Sequence, residues 1–192
     1  MKAITIRQPW ASLIAHGIKD IENRTWRCPT KHIGTRVLIH AAVKTADFWD
    51  CPNYGIVNKH IREVTKYGID YSKYNTMAII GSVEIADCVV NHPSIWAEKS
   101  IDCKDGCPDV ENCPAGKCPH LIYNWILANP IIFDEPILNI KGKLGFWDYE
   151  FSEDDYECTN DNGYTLGSCG EKAWCIQDCE RCDYYKCKYE IE

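Results

Sequence analysis

Apolar and polar residues alternate over Ala3–Arg7, and the β-branched run Ile4, Thr5, Ile6 favours a pleated backbone, so the chain is expected to open with a short strand. Pro9 suits the first turn of a helix, Trp10, Leu13 and Ile14 recur at i, i+3 and i+4, and Gly17 supplies a C-terminal stop. Residues 18–26 read as extended, and Val37–Ala42 as a compact apolar strand ending near His40. Over 45–67 the pattern is helical but broken by Pro52 and Gly55. Met77–Cys88 predicts a long β segment with Gly81 as a candidate bulge, and 92–100 a short helix after Pro93. Further short strands are expected over His120–Trp125, Ile131–Phe133, Ile137–Ile140 and Gly145–Phe151. Many short strands with one or two helices predict an α+β protein, a small mixed β-barrel with short flanking helices, rather than an alternating βαβ sheet.

A length of 192 residues fits one domain with an appendage. Charge separates the two parts. Residues 1–150 carry 17 acids and 17 bases, whereas 151–192 carry 11 acids and 4 bases, the whole net charge of −7. A neutral body can still hold a local basic cleft, so nucleic acid stays open as a partner. The tail has few aliphatic residues and needs metal staples, or the body's surface, to fold. No apolar run approaches the ~18 residues of a membrane span, and Arg7 and Gln8 interrupt any signal-peptide core. A cytoplasmic protein that does not engage membranes is the expectation.

The 13 cysteines are clustered. Cytosolic thiols stay reduced, and clusters of four or more reduced cysteines point to zinc. Cys103, Cys107, Cys113 and Cys118 lie in a stretch with almost nothing apolar to bury, where Gly106, Pro108, Pro114 and Gly116 supply turns. Four thiolates there can close a tetrahedral structural site, with His120 as the alternative fourth ligand. Of the six tail cysteines, Cys175, Cys179, Cys182 and Cys187 form the tightest four, and Cys158 or Cys169 can replace any of them. One to two structural zinc ions per chain are expected, and the zinc-stapled tail can also serve as a docking element for a protein partner.

The segment Gly17–Arg24 carries the candidate chemistry. If 20–24 is extended, Asp20, Glu22 and Arg24 share one face, and Lys19 can reach the same cleft from the preceding turn. Such a set can bind phosphate through its cations or activate water through its carboxylate; it can equally be a salt bridge tying helix to strand. Gln8 can read a base edge or cap the helix, Trp10 can stack on a base or sit in the core, and His40 can be a ligand contact or a hydrogen-bonded core residue.

Gly17-x-Lys19-x-x-Glu22-x-Arg24 resembles the GxKxxExR signature of the ASCH domain family, related in fold to PUA RNA-binding domains. Ile6–Ala11 resembles that family's opening RQPWA, Val37–Ala41 its LxIHA strand, and Asn124–Pro130 and Gly142–Trp147 its closing WxLxNP and GxLGxW segments. The resemblance spans about residues 1–150 and implies a PUA-like barrel whose signature lines a cleft for RNA or nucleotide-like ligands. It makes Gln8, Trp10, Lys19, Glu22, Arg24 and His40 the candidate binding residues. In an enzyme, Lys19, Glu22 and Arg24 would be the catalytic set, hydrolysing a modified nucleoside or RNA. One branch of the family is an amidohydrolase acting on N4-acetylcytidine, with threonine where this chain has Glu22; a carboxylate cannot serve as a hydroxyl nucleophile. The family is usually shorter before WxLxNP, so residues at about 96–120 read as an inserted zinc loop, followed after 150 by the acidic Cys-rich tail.

Overall fold

The computed structural model of the protein describes residues 1–46, 54–65, 74–100, 121–151, 158–160, 165–166 and 185–187. Strand β1 (Lys2–Gln8) leads through Pro9 into helix α1 (Trp10–Ala15), and β2 (Ile21–Arg24) returns. After a 3₁₀ turn at Thr30–His32 come β3 (Thr35–Thr45), α2 (Tyr54–Thr65), β4 (Ala78–Val90), β5 (Tyr123–Ile137) and β6 (Phe146–Asp148). These six strands form one mixed sheet in the order β2-β5-β4-β3-β1-β6, with β1 and β3 parallel and the other pairs antiparallel. The fold is α+β, compatible with the PUA-like expectation.

The central strands are apolar on both faces because both faces are covered. In β1, Ala3 and Ile4 point to opposite sides, as do Leu38 and Ile39 in β3. Ile4, Val37, Ile39, Val83, Ile85 and Trp125 build the larger core, while Ala3, Leu38, Ile79, Phe133 and Trp147 build a second. Val57 and Ile61, one helical turn apart on α2, pack with Leu13, Ile21 and Trp96 in a third.

Several elements differ from the sequence pattern. Tyr123–Trp125 and Ile131–Phe133, read as parts of separate strands, belong to one bent strand, β5, which ends at Ile137, so the strand expected over Ile137–Ile140 does not form. Asn129 takes a left-handed backbone (φ 47°), and its side chain donates to Glu84 while its carbonyl accepts from Arg36, so pairing resumes beyond the bend. The helix expected over 92–100 is irregular, because Asn23, Asn124 and the Ser94 hydroxyl take up its backbone groups, while the Ser100 hydroxyl bonds both backbone groups of Ile122. β3 runs on to Thr45, so the stretch read as helical begins in a strand, and among the described residues its helix is α2. Gly81 sits between register shifts in β4, where a Cβ would collide with the Ile131 carbonyl of β5.

Among the described residues, backbone pairing does not close the sheet into a barrel; side chains bridge its ends. Trp125 of β5 stacks on Phe146 of β6 at 5.3 Å, and Arg24 of β2 donates to the Thr5 carbonyl of β1. Met1 and Tyr149 exchange both backbone hydrogen bonds, which sets the phase in which β1 faces β6 at Met1, Ala3 and Thr5. The Thr5 carbonyl therefore emerges at the open seam, beyond the last β1–β6 pair at Ile4 and Phe146, and the Arg24 guanidinium takes the place of a strand.

Cys103, Cys107, Cys113, Cys118, His120, Cys169, Cys175, Cys179 and Cys182 lie outside the described residues. In the tail, β7 (Cys158–Asn160) pairs antiparallel with β8 (Thr165–Leu166) and β9 (Tyr185–Cys187), with Cys158 and Cys187 in register. In the body, Cys28 and Cys88 are buried free thiols, and burial pushes Cys28 up to about 11. Among the described residues, no helix is long and apolar enough to cross a membrane.

Candidate functional site at the open seam of the sheet

The seam between β1 and β2 opens into a cavity of about 510 Å³. Local folding delivers its charged residues. Gly17 (φ 71°) ends α1, and the amides of Ile18 and Lys19 both return to the Leu13 carbonyl. This tight reversal turns Lys19 inward, where it is 5% exposed. Its ammonium donates to the Ile21 carbonyl and to Glu22 Oε2 at 3.3 Å. Glu22, 8% exposed, has Arg24 Nε 3.1 Å from its other oxygen. The alternation of β2 thus sets a carboxylate between two cations. Arg24 Nε is close enough for an ion pair but forms no hydrogen bond, while its Nη2 donates to Thr5 O at 2.9 Å and the guanidinium lies 5.9 Å from the Trp125 ring centre.

Trp10 forms an apolar wall, its ring 6.0 Å from Lys19 Nζ and edge-on to Trp96 at 6.2 Å. Trp96 and Glu98 enter the wall because Asn23 and Asn124 hold their backbone. Asn23 Nδ2 donates to Trp96 O at 2.8 Å, and its Oδ1 accepts from Glu98 N at 3.1 Å. Burial raises the Glu98 carboxyl above its ordinary range; Lys19 opposes that shift and Glu22 adds to it. Arg7 and, from the loop before β6, Lys143, Leu144 and Gly145 complete the lining relevant to binding. Four cations (Arg7, Lys19, Arg24, Lys143) thus face two carboxylates (Glu22, Glu98), a local positive excess on a body of zero net charge.

Of the residues singled out in the sequence, Trp10, Lys19, Glu22 and Arg24 share the cavity. Asp20 does not join them; it is exposed and accepts from Ser94 Oγ. Gln8 lies off the cavity wall and is wholly buried: its Oε1 accepts from Ser12 N and its Nε2 donates to Asn75 O, which caps α1. His40 also lies off the wall, 2% exposed, with Nε2 donating to the Ile140 carbonyl and its ring edge-on to Trp147. Burial lowers its pKa, against the opposing effect of the Ile140 bond. It packs beneath the loop before β6, where a Cβ on Gly142 would collide with its ring and with Thr5 Oγ1.

Sequence reasoning did not single out Arg7, Glu98, Lys143 or Leu144 as site residues. Lys143 and Leu144 fall inside the Gly142–Trp147 segment, which was the available signal for them. Glu98 had none, because no spacing links it to Lys19 and only the side chains of Asn23 and Asn124 bring it there.

A profile of the ASCH domain matches residues 4–137. Among solved structures, the chain is similar to an ASCH protein from Zymomonas mobilis at 12% identity and a TM-score of 0.41, covering 78% of this chain and 87% of that one. A serine-to-alanine mutant named ZmASCH, from the same organism, aligns at 15% identity and a TM-score of 0.38, over 72% of this chain and 73% of that one. A tyrosine-to-phenylalanine mutant gives 14% identity and 0.42, over 78% and 89%. No curated protein matches the chain.

Proposed function

The chain belongs to the ASCH domain family, and we propose that its seam cavity binds one nucleotide unit of a single-stranded RNA. The observation that carries this reading is the pairing of a cationic surplus with the Trp10–Trp96 wall in one cavity. Cations neutralise phosphate, and an aromatic wall accepts an unstacked base. The volume of about 510 Å³ suits a small ligand rather than a duplex. Exposed Arg7 and Lys143 supply the phosphate contacts. Glu22 has both oxygens beside cations and holds Lys19 and Arg24 in place.

Fluorescence anisotropy with a short labelled single-stranded RNA tests this. Each phosphate contact should add a slope of about −0.7 to log K against log salt, so two to three contacts weaken binding about 7- to 20-fold from ~50 to ~200 mM salt. Arg7→Ala and Lys143→Ala should each flatten that slope by about 0.7. Binding that ignores salt, or no binding at all, removes the reading.

One observation favours a second reading, hydrolysis of a modified nucleoside. Glu98 is a carboxyl raised by burial, on the cavity wall and within the field of Lys19 and Glu22. A carboxyl so placed can take a proton from water and return it to a leaving amine. With both Glu22 oxygens beside cations, this reading gives the proton transfer to Glu98, with Lys19 and Arg24 stabilising negative charge on the attacked oxygen.

The Cys-rich segments are proposed to hold one to two structural zinc ions per chain. The backbone register of Cys158 against Cys187 supports a tail site, because it sets one of the four expected ligands beside an alternative one on adjacent strands. Elemental mass spectrometry of the purified chain should return one to two zinc per protein; a folded, metal-free sample would rule both sites out.

A further inference from the structure

We propose that Leu144 is a specificity-determining contact that packs on the face of the bound base, making the cavity a reader of nucleobases rather than of ribose phosphate alone. The inference rests on the nucleotide reading of the cavity and names the part of the ligand that the loop before β6 recognises. Leu144 is 99% exposed, more than any other large apolar side chain described, and it lines the cavity.

An apolar side chain held entirely in water gains when a ligand covers it. Here the loop is anchored so that coverage can come from the cavity. Ile140 N donates to Met77 O, and Ile140 O accepts from His40 Nε2. Gly142 then packs so closely on His40 and Thr5 that no side chain fits. Lys143 Nζ sits 5.7 Å from the Trp147 ring centre, and Gly145 (φ 66°) turns the chain into β6. Both flanks of Leu144 are thus tied to the sheet, which lowers the ordering cost of a contact with ligand.

The chemistry of the lining separates the parts of a nucleotide. Cations serve the phosphate, and the half-buried Trp10 with Trp96 offers one apolar surface. Leu144 adds a second apolar surface at the exposed rim. A flat heterocycle can use both; ribose, with its hydroxyls, gains little from either.

The test uses the full chain, with binding followed by NMR chemical-shift titration against the four ribonucleoside 5′-monophosphates and against ribose 5-phosphate. For the best nucleotide, Leu144→Ala should weaken binding about 5- to 20-fold, as expected for losing a contact of ~1–2 kcal/mol, while ribose 5-phosphate affinity stays unchanged. Leu144→Met, which keeps the volume, should restore nucleotide binding to within about threefold. Equal weakening of both ligands, or none, with the wild type still binding nucleotide, overturns the Leu144 proposal and leaves the nucleotide reading standing. A wild type that binds none of these ligands overturns both. Leu144 touches no core cluster, so the variants should keep the wild-type melting temperature.

Discussion

Glu22→Ala should cost about 3–5 kcal/mol of folding stability, because it leaves a buried ammonium without its counter-charge. The Lys19 and Glu22 side chains are 5% and 10% exposed, and Arg24 is drawn to the same carboxylate. Without Glu22, Lys19 keeps its hydrogen bond to the Ile21 carbonyl, the Trp10 ring at 6.0 Å and a weaker attraction to Glu98, none of which replaces the paired carboxylate. At a urea m-value of about 2 kcal/mol/M, the unfolding midpoint should fall by about 1.5–2.5 M. Glu22→Gln keeps an acceptor but not the charge and should fall between. The double variant Lys19→Met with Glu22→Leu removes both charges together and should recover most of the loss, since paired apolar residues of similar volume are often neutral or better. A Glu22→Ala midpoint within about 0.3 M of wild type would mean that this cluster is solvated and that burial does not bind its members to each other.

That prediction uses a cluster partly visible in the sequence. The spacing of Lys19, Glu22 and Arg24 reflects two local rules: a glycine-terminated helix and the two-residue alternation of a strand. Local rules also marked β1, α1, β3 and β4 to within a few residues. Other features depend on contacts distant along the chain. β5 reads as separate pieces because Pro130 and the polar residues around it look like a terminus; its pairing with β4 makes them one strand, which stops at Ile137. The 92–100 segment has helical spacing, yet Asn23, some 70 residues earlier, takes hydrogen bonds that a helix would need. Gln8 and His40 carry chemistry in their side chains, but whether that chemistry faces a ligand or the core is decided by Asn75 and Ile140. Charge followed the same division. The body's balance of 17 acids and 17 bases conceals a cationic cavity, because opposite charges lie elsewhere on its surface.

In the hydrolase reading, Glu98→Gln should lower turnover of N4-acetylcytidine by about 10²- to 10⁴-fold, the usual contribution of a positioned proton-transfer group. The reaction adds water oxygen to the acyl carbon and breaks the bond to N4. It yields cytidine and acetate, with Glu98 accepting the water proton and delivering it to the departing amine. Glutamine preserves shape, so cytidine 5′-monophosphate affinity should stay within about threefold, which separates lost chemistry from lost binding. The pH dependence supplies an independent check. Burial raises the folded-state pKa of Glu98 above 4.5, so between these two values the folded protein binds more protons than the unfolded chain. Stability from this group is therefore present below the window and declines as pH rises through it. Base-dependent turnover runs the other way, rising with pH as Glu98 ionises. Glu98→Gln should flatten both trends. Mass spectrometry of the reaction reads the chemistry, and thermal melts across the acid range read the linkage. No product from the wild type would remove the hydrolase reading, while product formed equally by Glu98→Gln would assign the proton transfer to another group.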